Sequence, residues 1–219
     1  PWRGGRRLKF CREQLLIYAV TDRAWTGRMS LYEQVEAALR GGATMVQLRE
    51  KELGETDREA FLEEARRMHE LTAGYGVPLI IDDNIAIALE SGAEGVHVGQ
   101  NDMDAREARR LLGPERILGV TAKTVEQALR AQAAGADYLG SGAVFGTSTK
   151  PDAVPMSIEQ LKEICAAVTI PVVAIGGICL ENIGRLAGSG VAGAAIVSGI
   201  FGAEDIEGTT RKLVKAFPG

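Results

Sequence analysis

Cysteine is scarce in this chain of 219 residues, and its three copies have neither metal-binding nor disulfide spacing. Cys11, Cys165 and Cys179 form no CxxC pair, and an odd number of widely spaced thiols argues against a zinc site and a disulfide framework. We expect free, buried thiols, and a reducing cytoplasm fits this pattern. A nucleophilic Cys179, just beyond a glycine pair, is the alternative.

Long hydrophobic runs and an excess of one charge are also absent. No window approaches the length of a membrane span, and the basic start around Arg3 to Arg12 has too little apolar sequence for a signal peptide. The net charge is -4 with both signs mixed, so there is no basic stripe for nucleic acid. We predict neither a membrane nor a nucleic-acid partner, although a binding arm at the basic start is an alternative. The oligomeric state stays open, a homo-oligomer included.

Apolar runs rich in β-branched residues alternate with amphipathic segments along the whole chain. No linker divides the sequence, which is 46% apolar, so we predict a basic extension over residues 1–14 and one domain over residues 15–219. Eight strand candidates are followed by turns and helical patterns, as in a (β/α)₈ barrel. They span residues 15–21, 44–48, 79–82, 95–98, 117–121, 138–141, 172–175 and 194–197. A doubly wound open sheet is the alternative, but it favours a glycine-rich first turn.

Functional residues of such barrels collect at the carboxyl ends of the strands. After the second strand, alternation puts Gln47, Arg49 and Lys51 on one side, which suits a pyrophosphate beside a hydrogen-bonding ring. An ion-pair network through Glu50 and Glu52 is the alternative interpretation.

Acidic side chains follow the third and fourth strands. Asp83 and Asp102 are predicted to form an oxygen-rich site that suits Mg²⁺. Helix capping competes with this interpretation and better explains Asn84 and Asp104.

Two histidines and a long loop are further candidates for a functional role. His97 could face the barrel or a helix and is interpreted as a supporting residue, with a catalytic base as the alternative. His69 lies in a charged helical pattern and is expected to be solvated. The segment 140–151 after the sixth strand is longer than an ordinary connection and could cover a substrate.

The last two strands end in small residues that suit an anion. Gly176 and Gly177 follow one strand, and Val197 and Ser198 follow the other. Because glycine has no Cβ, main-chain N–H groups can closely approach a phosphate there. The chain is therefore predicted to bind a phosphorylated ligand.

From about Leu15 to Ile206 the sequence resembles the thiamine phosphate synthases. The resemblance rests on the order and spacing of several motifs. They are YAVTDR at 18–23, QLREK at 47–51, GVHVGQ at 95–100, GTSTK at 146–150, AIGGI at 174–178 and the final Val197-Ser198. The resemblance implies a Mg²⁺-dependent transferase. Such an enzyme joins hydroxymethylpyrimidine diphosphate to a thiazole phosphate, carboxylated or not, and yields thiamine phosphate and pyrophosphate.

The resemblance also implies individual roles. Gln47, Arg49 and Lys51 would meet the pyrimidine diphosphate together with Lys150, while Asp83 and Asp102 would hold Mg²⁺. Thr147 and Thr149 would contact the thiazole, whose phosphate would meet Gly177, Val197 and Ser198. The family commonly has Asn at Asp82 and Ser at Thr121. Thr121 keeps the hydroxyl, whereas Asp82 adds a charge near the proposed pyrophosphate.

The implied reaction is a dissociative substitution at the pyrimidine methylene, helped by Mg²⁺, Arg49, Lys51 and Lys150 and needing no protein nucleophile. Two alternatives remain. A related barrel that tautomerises the thiazole phosphate would not need a diphosphate and Mg²⁺ pocket. A phosphate-ligand sensor without catalysis could lack the cationic and acidic groups.

Overall fold

Eight parallel strands close into a barrel in the computed structural model. The structure describes residues 10–50, 57–100, 103–146 and 154–218, together with the backbone of 2–3 and 6–7. The barrel strands are β1 (Ile17–Val20), β2 (Met45–Leu48), β3 (Leu79–Asp82), β4 (Gly95–Val98), β5 (Ile117–Thr121), β6 (Tyr138–Gly142), β7 (Val172–Ile175) and β8 (Gly193–Ile196). Each strand pairs with its neighbours in sequence, and β8 pairs with β1 to close the ring. The predicted barrel is confirmed, and the doubly wound alternative is wrong.

Helices cover the outside of the barrel. They are α1 (Leu31–Gly41), α2 (Arg58–Gly74), α3 (Ile85–Ser91), α4 (Ala105–Leu112), α5 (Val125–Ala133), α6 (Ile158–Ala167), α7 (Ser198–Phe201) and α8 (Ile206–Ala216). An α-helix follows each of the other barrel strands. After β7 its place is taken by a single 3₁₀ turn, Ile183–Leu186. Two further 3₁₀ turns, Arg12–Leu15 and Arg23–Trp25, lie on either side of β1.

Alternation along the strands divides the core into two clusters. Ile17 and Ala19 belong to the larger cluster, which fills the space between strands and helices. Tyr18 and Val20, the intervening residues, belong to the smaller cluster inside the barrel, with Tyr138 among others. A barrel strand is thus buried on both faces, which explains why the strand candidates read as continuous apolar runs.

Side-chain caps begin several of the helices. The side chains of Ser30, Thr124 and Ser157 each accept a hydrogen bond from a backbone N–H in the first turn of α1, α5 and α6. Such caps satisfy donors that have no partner within the helix. They fix the point at which each loop from a strand enters its helix.

The amino-terminal segment contacts the barrel end opposite the carboxyl ends of the strands. Arg12 donates hydrogen bonds to the carbonyl oxygens of Gly190 and Val191, and the ring of Phe10 lies 5.9 Å from that of Tyr138. In the described part of the chain, no helix combines the length and the apolar character that a membrane span requires. The boundary at residues 14 and 15 stays a prediction.

Two side-chain expectations are wrong. The three cysteines are free thiols, but none is fully buried: Cys11 is exposed, and Cys165 and Cys179 are half-buried. His69 is half-buried and its Nε2 lies 3.2 Å from Oε1 of Glu94, so it is paired rather than simply solvated. Glu94 lies between α3 and β4, so sequence spacing alone did not predict its contact with His69 on α2.

Candidate active site

A cavity of about 200 Å³ opens at the carboxyl ends of the barrel strands. Its wall contains every predicted site residue that the structure describes, namely Gln47, Arg49, Asp82, Asp83, Thr121, Gly177, Val197 and Ser198. Five other predicted residues, Lys51, Asp102, Thr147, Thr149 and Lys150, lie outside the described residues. Side chains from β2, β3, β5 and the ends of β7 and β8 thus converge on one cavity.

Arg49 lies between two carboxylates at the mouth of this cavity. Its Nη1 donates to Oδ2 of Asp22 at 3.1 Å, and its Nε lies 3.7 Å from Oδ2 of Asp82. The hydroxyl of Thr21 accepts a hydrogen bond from the backbone N–H of Arg49 at 3.0 Å. The guanidinium is therefore held in place before any ligand arrives.

The ion-pair alternative, a network of Glu50, Glu52 and Arg49, holds in part. Arg49 pairs with Asp22 and Asp82 instead, and Glu52 lies outside the described residues. Glu50 pairs with Arg23, whose Nη2 also lies 2.8 Å from Oε1 of Glu64. Burial raises the pKa of the Glu64 carboxyl, against the lowering effect of the Arg23 charge. This network stabilises the chain beside Arg49, while the Arg49 side chain lines the cavity.

The carboxyl end of β3 brings two adjacent acids to the cavity. Asp83 has a φ of 57°, a left-handed conformation, and its backbone N–H donates to the carbonyl of His97 at 2.8 Å. Such a conformation is uncommon for a residue other than glycine and often marks a functional position. Asn84 caps α3 and Asp104 caps α4, as predicted. Among the described residues, no three acidic, histidine or cysteine side chains cluster as metal ligands.

The floor of the cavity contains a continuous set of hydrogen bonds. Gln47 Nε2 donates to the hydroxyl of Tyr18 at 2.7 Å, and that hydroxyl lies 2.9 Å from the hydroxyl of Tyr138. His97 joins Tyr138 to Thr121, with Nδ1 3.1 Å from one hydroxyl and Nε2 3.0 Å from the other. Both ring nitrogens of His97 have partners, which agrees with a supporting role.

The opposite wall is made of backbone and small residues. Gly177 has a φ of 62°, and a Cβ at this position would lie 2.1 Å from the carbonyl oxygen of Gly146. Only glycine fits there without a shift of the backbone. Asn182 holds this loop because its Nδ2 donates to the carbonyl of Gly177 at 2.8 Å. Val197, which precedes α7, and Ser198, which begins it, also line the cavity.

Sequence reasoning missed three residues of this site. Asp22 pairs with Arg49, while Tyr18 and Lys123 line the cavity. A signal existed for two of them, because Tyr18 and Asp22 lie in a motif at the end of β1. Lys123 follows Thr121 by two residues, and only the closed barrel shows that it reaches the same cavity.

Comparisons with known proteins identify the family. The family model described as thiamine monophosphate synthase matches residues 17–200. The Streptococcus pneumoniae thiamine-phosphate synthase 2 is 48% identical over 204 residues, which cover 93% of this chain and 96% of that protein. The Clostridium acetobutylicum thiamine-phosphate synthase is 48% identical over 197 residues, covering 90% and 92%.

A solved structure gives the same result at the level of the fold. The thiamine phosphate pyrophosphorylase from Pyrococcus furiosus superposes with a TM-score of 0.84 and 36% identity, covering 94% of this chain and 96% of that chain. The likeness extends over nearly the whole length of both proteins. The chain belongs to the thiamine monophosphate synthase family.

Proposed function

We propose that this transferase condenses 4-amino-2-methyl-5-hydroxymethylpyrimidine diphosphate with a thiazole phosphate, releasing pyrophosphate and thiamine phosphate. One observation carries the proposal: a guanidinium held between carboxylates lines the same cavity as a wall of glycines and small residues. The first suits a diphosphate, and the second suits the phosphate of another reactant, since main-chain N–H groups can approach an anion closely where there is no Cβ. The two features together suit a site for two phosphorylated substrates.

The diphosphate side contributes charge. As the bond between the pyrimidine methylene and oxygen breaks, negative charge grows on the departing pyrophosphate. Arg49 is already oriented by Asp22 and Thr21, so it stabilises that charge without having to reorganise. Lys51 and Lys150, which lie outside the described residues, are proposed to add two further cations. Thr121 would add a hydroxyl donor from the end of β5.

The departing group leaves positive charge on the aminopyrimidine ring. Gln47 lines the cavity floor and is 6% exposed. Its side chain can form hydrogen bonds with the edge of this ring. The thiazole nitrogen then attacks the methylene carbon. We propose that this nucleophile is aligned by Gly177, Val197 and Ser198 through its phosphate, and by Thr147 and Thr149 from the loop. Alignment and exclusion of water then replace a protein nucleophile.

Mg²⁺ fits the donor set on the β3 side of the cavity. Asp83 lines the cavity wall, and a carboxylate is a hard ligand that suits Mg²⁺. We propose that Asp83 holds the ion together with Asp102, which lies outside the described residues. When bound, Mg²⁺ would neutralise charge on the diphosphate. The carboxylates need such a cation, because without it they would repel the substrate.

Product formation from both substrates is the direct test. Purified protein, Mg²⁺ and the two substrates should yield thiamine phosphate and one equivalent of pyrophosphate, and the thiazole should be supplied in both carboxylated and decarboxylated forms. Calorimetric titration with the pyrimidine diphosphate should show binding that requires Mg²⁺. Thiazole tautomerisation without a diphosphate requirement, or phosphate binding without turnover, would contradict the proposal.

Asp82→Asn is expected to tighten binding of the pyrimidine diphosphate by roughly fivefold, because it removes one negative charge from the mouth of the cavity. Arg49 keeps Asp22 as its closer partner at 3.1 Å. Turnover should stay within about threefold of the parent. Calorimetry at saturating Mg²⁺ measures the affinity, and Glu70→Gln, which removes a charge from the exposed face of α2, is the control. Weaker binding would instead indicate that the Asp82 carboxylate contacts the metal.

A further inference from the structure

Five side chains inside the barrel form one connected set of hydrogen bonds. We call this set the floor relay: Gln47, Tyr18, Tyr138, His97 and Thr121. Its contacts are 2.7, 2.9, 3.1 and 3.0 Å long, in that order. Both ends line the cavity, whereas Tyr138 in the middle is fully buried.

The first contact allows one direction to be assigned to the floor relay. The Tyr18 hydroxyl accepts a hydrogen from Gln47 Nε2, which leaves its own hydrogen for the Tyr138 hydroxyl 2.9 Å away. In that direction Tyr138 donates to Nδ1 of His97. A ring nitrogen that accepts carries no hydrogen, so the hydrogen of the neutral ring lies on Nε2.

At the far end, Nε2–H of His97 donates to the hydroxyl oxygen of Thr121. Thr121 therefore keeps its own hydrogen for donation. Burial raises the pKa of Tyr18 and of Tyr138, which keeps both phenols protonated and able to pass on a hydrogen bond. The chain of bonds thus runs from Gln47 to Thr121.

Two glycines provide space for the relay. A Cβ at Gly119 would lie 2.2 Å from Cζ of Tyr138 and 2.5 Å from Nδ1 of His97. A Cβ at Gly140 would lie 3.0 Å from Cε1 of His97. Strands β5 and β6 therefore leave room for an imidazole and a phenol where any other residue would push them apart.

We propose that Tyr18, Tyr138 and His97 are positioning residues that fix the hydrogen-bonding character of both ends of the relay. Gln47 is held with Oε1 available as an acceptor, and Thr121 is held as a donor. The inference rests on the proposed function for its ligand. An acceptor at Gln47 matches the exocyclic amine of an aminopyrimidine, and a donor at Thr121 matches a ring nitrogen or a diphosphate oxygen. A hydroxypyrimidine, which presents a carbonyl in place of the amine, would lose the hydrogen bond to Oε1 and should bind more weakly.

The tautomer of His97 tests the relay without any substrate. The chain contains two histidines, so ¹⁵N-histidine labelling gives two ring systems, and His69→Gln removes the other one. At pH 8.5, where an ordinary imidazole is uncharged, the ring nitrogens of His97 should show hydrogen on Nε2 and an acceptor-type shift for Nδ1. In Tyr138→Phe, Nδ1 loses its donor and a mixture of tautomers should appear.

Kinetics test the positioning role separately. Tyr18→Phe should raise KM for the pyrimidine diphosphate about tenfold, since one hydrogen bond to Gln47 is lost, while KM for the thiazole phosphate stays within twofold. Tyr75→Phe is the matched control, because its hydroxyl bonds Glu36 on an exposed surface at 3.3 Å. Discrimination against the hydroxypyrimidine analogue should fall in Tyr18→Phe and not in the control.

The possible results separate the relay from the proposed function. Hydrogen on Nδ1 in the parent protein overturns the relay even if the enzyme is fully active. A tautomer that Tyr138→Phe leaves unchanged does the same, as does an equal rise of both KM values in Tyr18→Phe. If Tyr138→Phe fails to fold, the parent spectrum still decides the direction. A protein with the expected tautomer and no turnover would instead contradict the proposed function.

Discussion

Replacing Arg49 by alanine is expected to lower kcat/KM for the pyrimidine diphosphate by at least a hundredfold. The loss of one preorganised charge contact to a transition state typically costs about 3 kcal/mol. A second effect adds to the first, because Asp22 and Asp82 would face the cavity without the cation that lies 3.1 and 3.7 Å from them. Steady-state release of pyrophosphate measures the result.

Arg110→Ala is the matched control for this change. Arg110 pairs with Glu107 on the exposed face of α4, and its side chain is 68% exposed. This pair contributes little to stability or function, as is usual for surface ion pairs, so kcat/KM should not change. Arg49→Lys should recover only part of the loss, because an ammonium cannot contact two carboxylates and a diphosphate with a planar fork. Near-parental turnover of Arg49→Ala would remove Arg49 from the proposed chemistry.

Gly193→Ala is expected to have the largest effect on stability, about 4 kcal/mol or more, or to prevent folding altogether. A Cβ on Gly193 would lie 1.7 Å from the carbonyl oxygen of Leu15 and 2.3 Å from its carbon. These are backbone atoms, so no side chain can rotate away to make room. The ladder between β8 and β1, where the barrel closes, would have to separate.

Urea unfolding followed by circular dichroism measures the loss. Gly184→Ala is the control, since it lies in the 3₁₀ turn after β7 and no atom stands within 4 Å of its added Cβ. Its free energy of unfolding should change by about 0.5 kcal/mol or less. Equal stability of the two variants would show that the closure between β8 and β1 can relax, contrary to the geometry.

Periodicity alone located the strands because their burial is nearly complete. The predictions for residues 79–82, 95–98, 117–121 and 172–175 match β3, β4, β5 and β7 to the residue. The predicted first strand, residues 15–21, begins two residues before β1 and ends one residue after it. There Leu15 is as apolar as a strand residue and fully buried, yet it ends a 3₁₀ turn under the barrel. Burial favours apolar residues in either conformation, so sequence cannot separate them.

The sequence also predicts which charged side chains belong to the site, but it does not predict which of them pair with each other. Arg49 and Asp83 were predicted from their positions at strand ends, and both line the cavity. The partner Asp22 lies after β1, at the start of the 3₁₀ turn Arg23–Trp25, and nothing in the spacing connects it to Arg49. His97 was ambiguous for the same reason, since alternation in a strand buried on both faces does not say which face is inside.

The sequence by itself determined the order of strands and helices, their caps and the residues that stand at each strand end. These features depend on local hydrogen bonding and on the period of apolar residues, and both can be recognised in the sequence itself. Only the tertiary structure decided that Tyr18 and Tyr138 meet at 2.9 Å and that Arg49 lies between two carboxylates. Those contacts join residues up to 120 positions apart, and closure of the barrel fixes them.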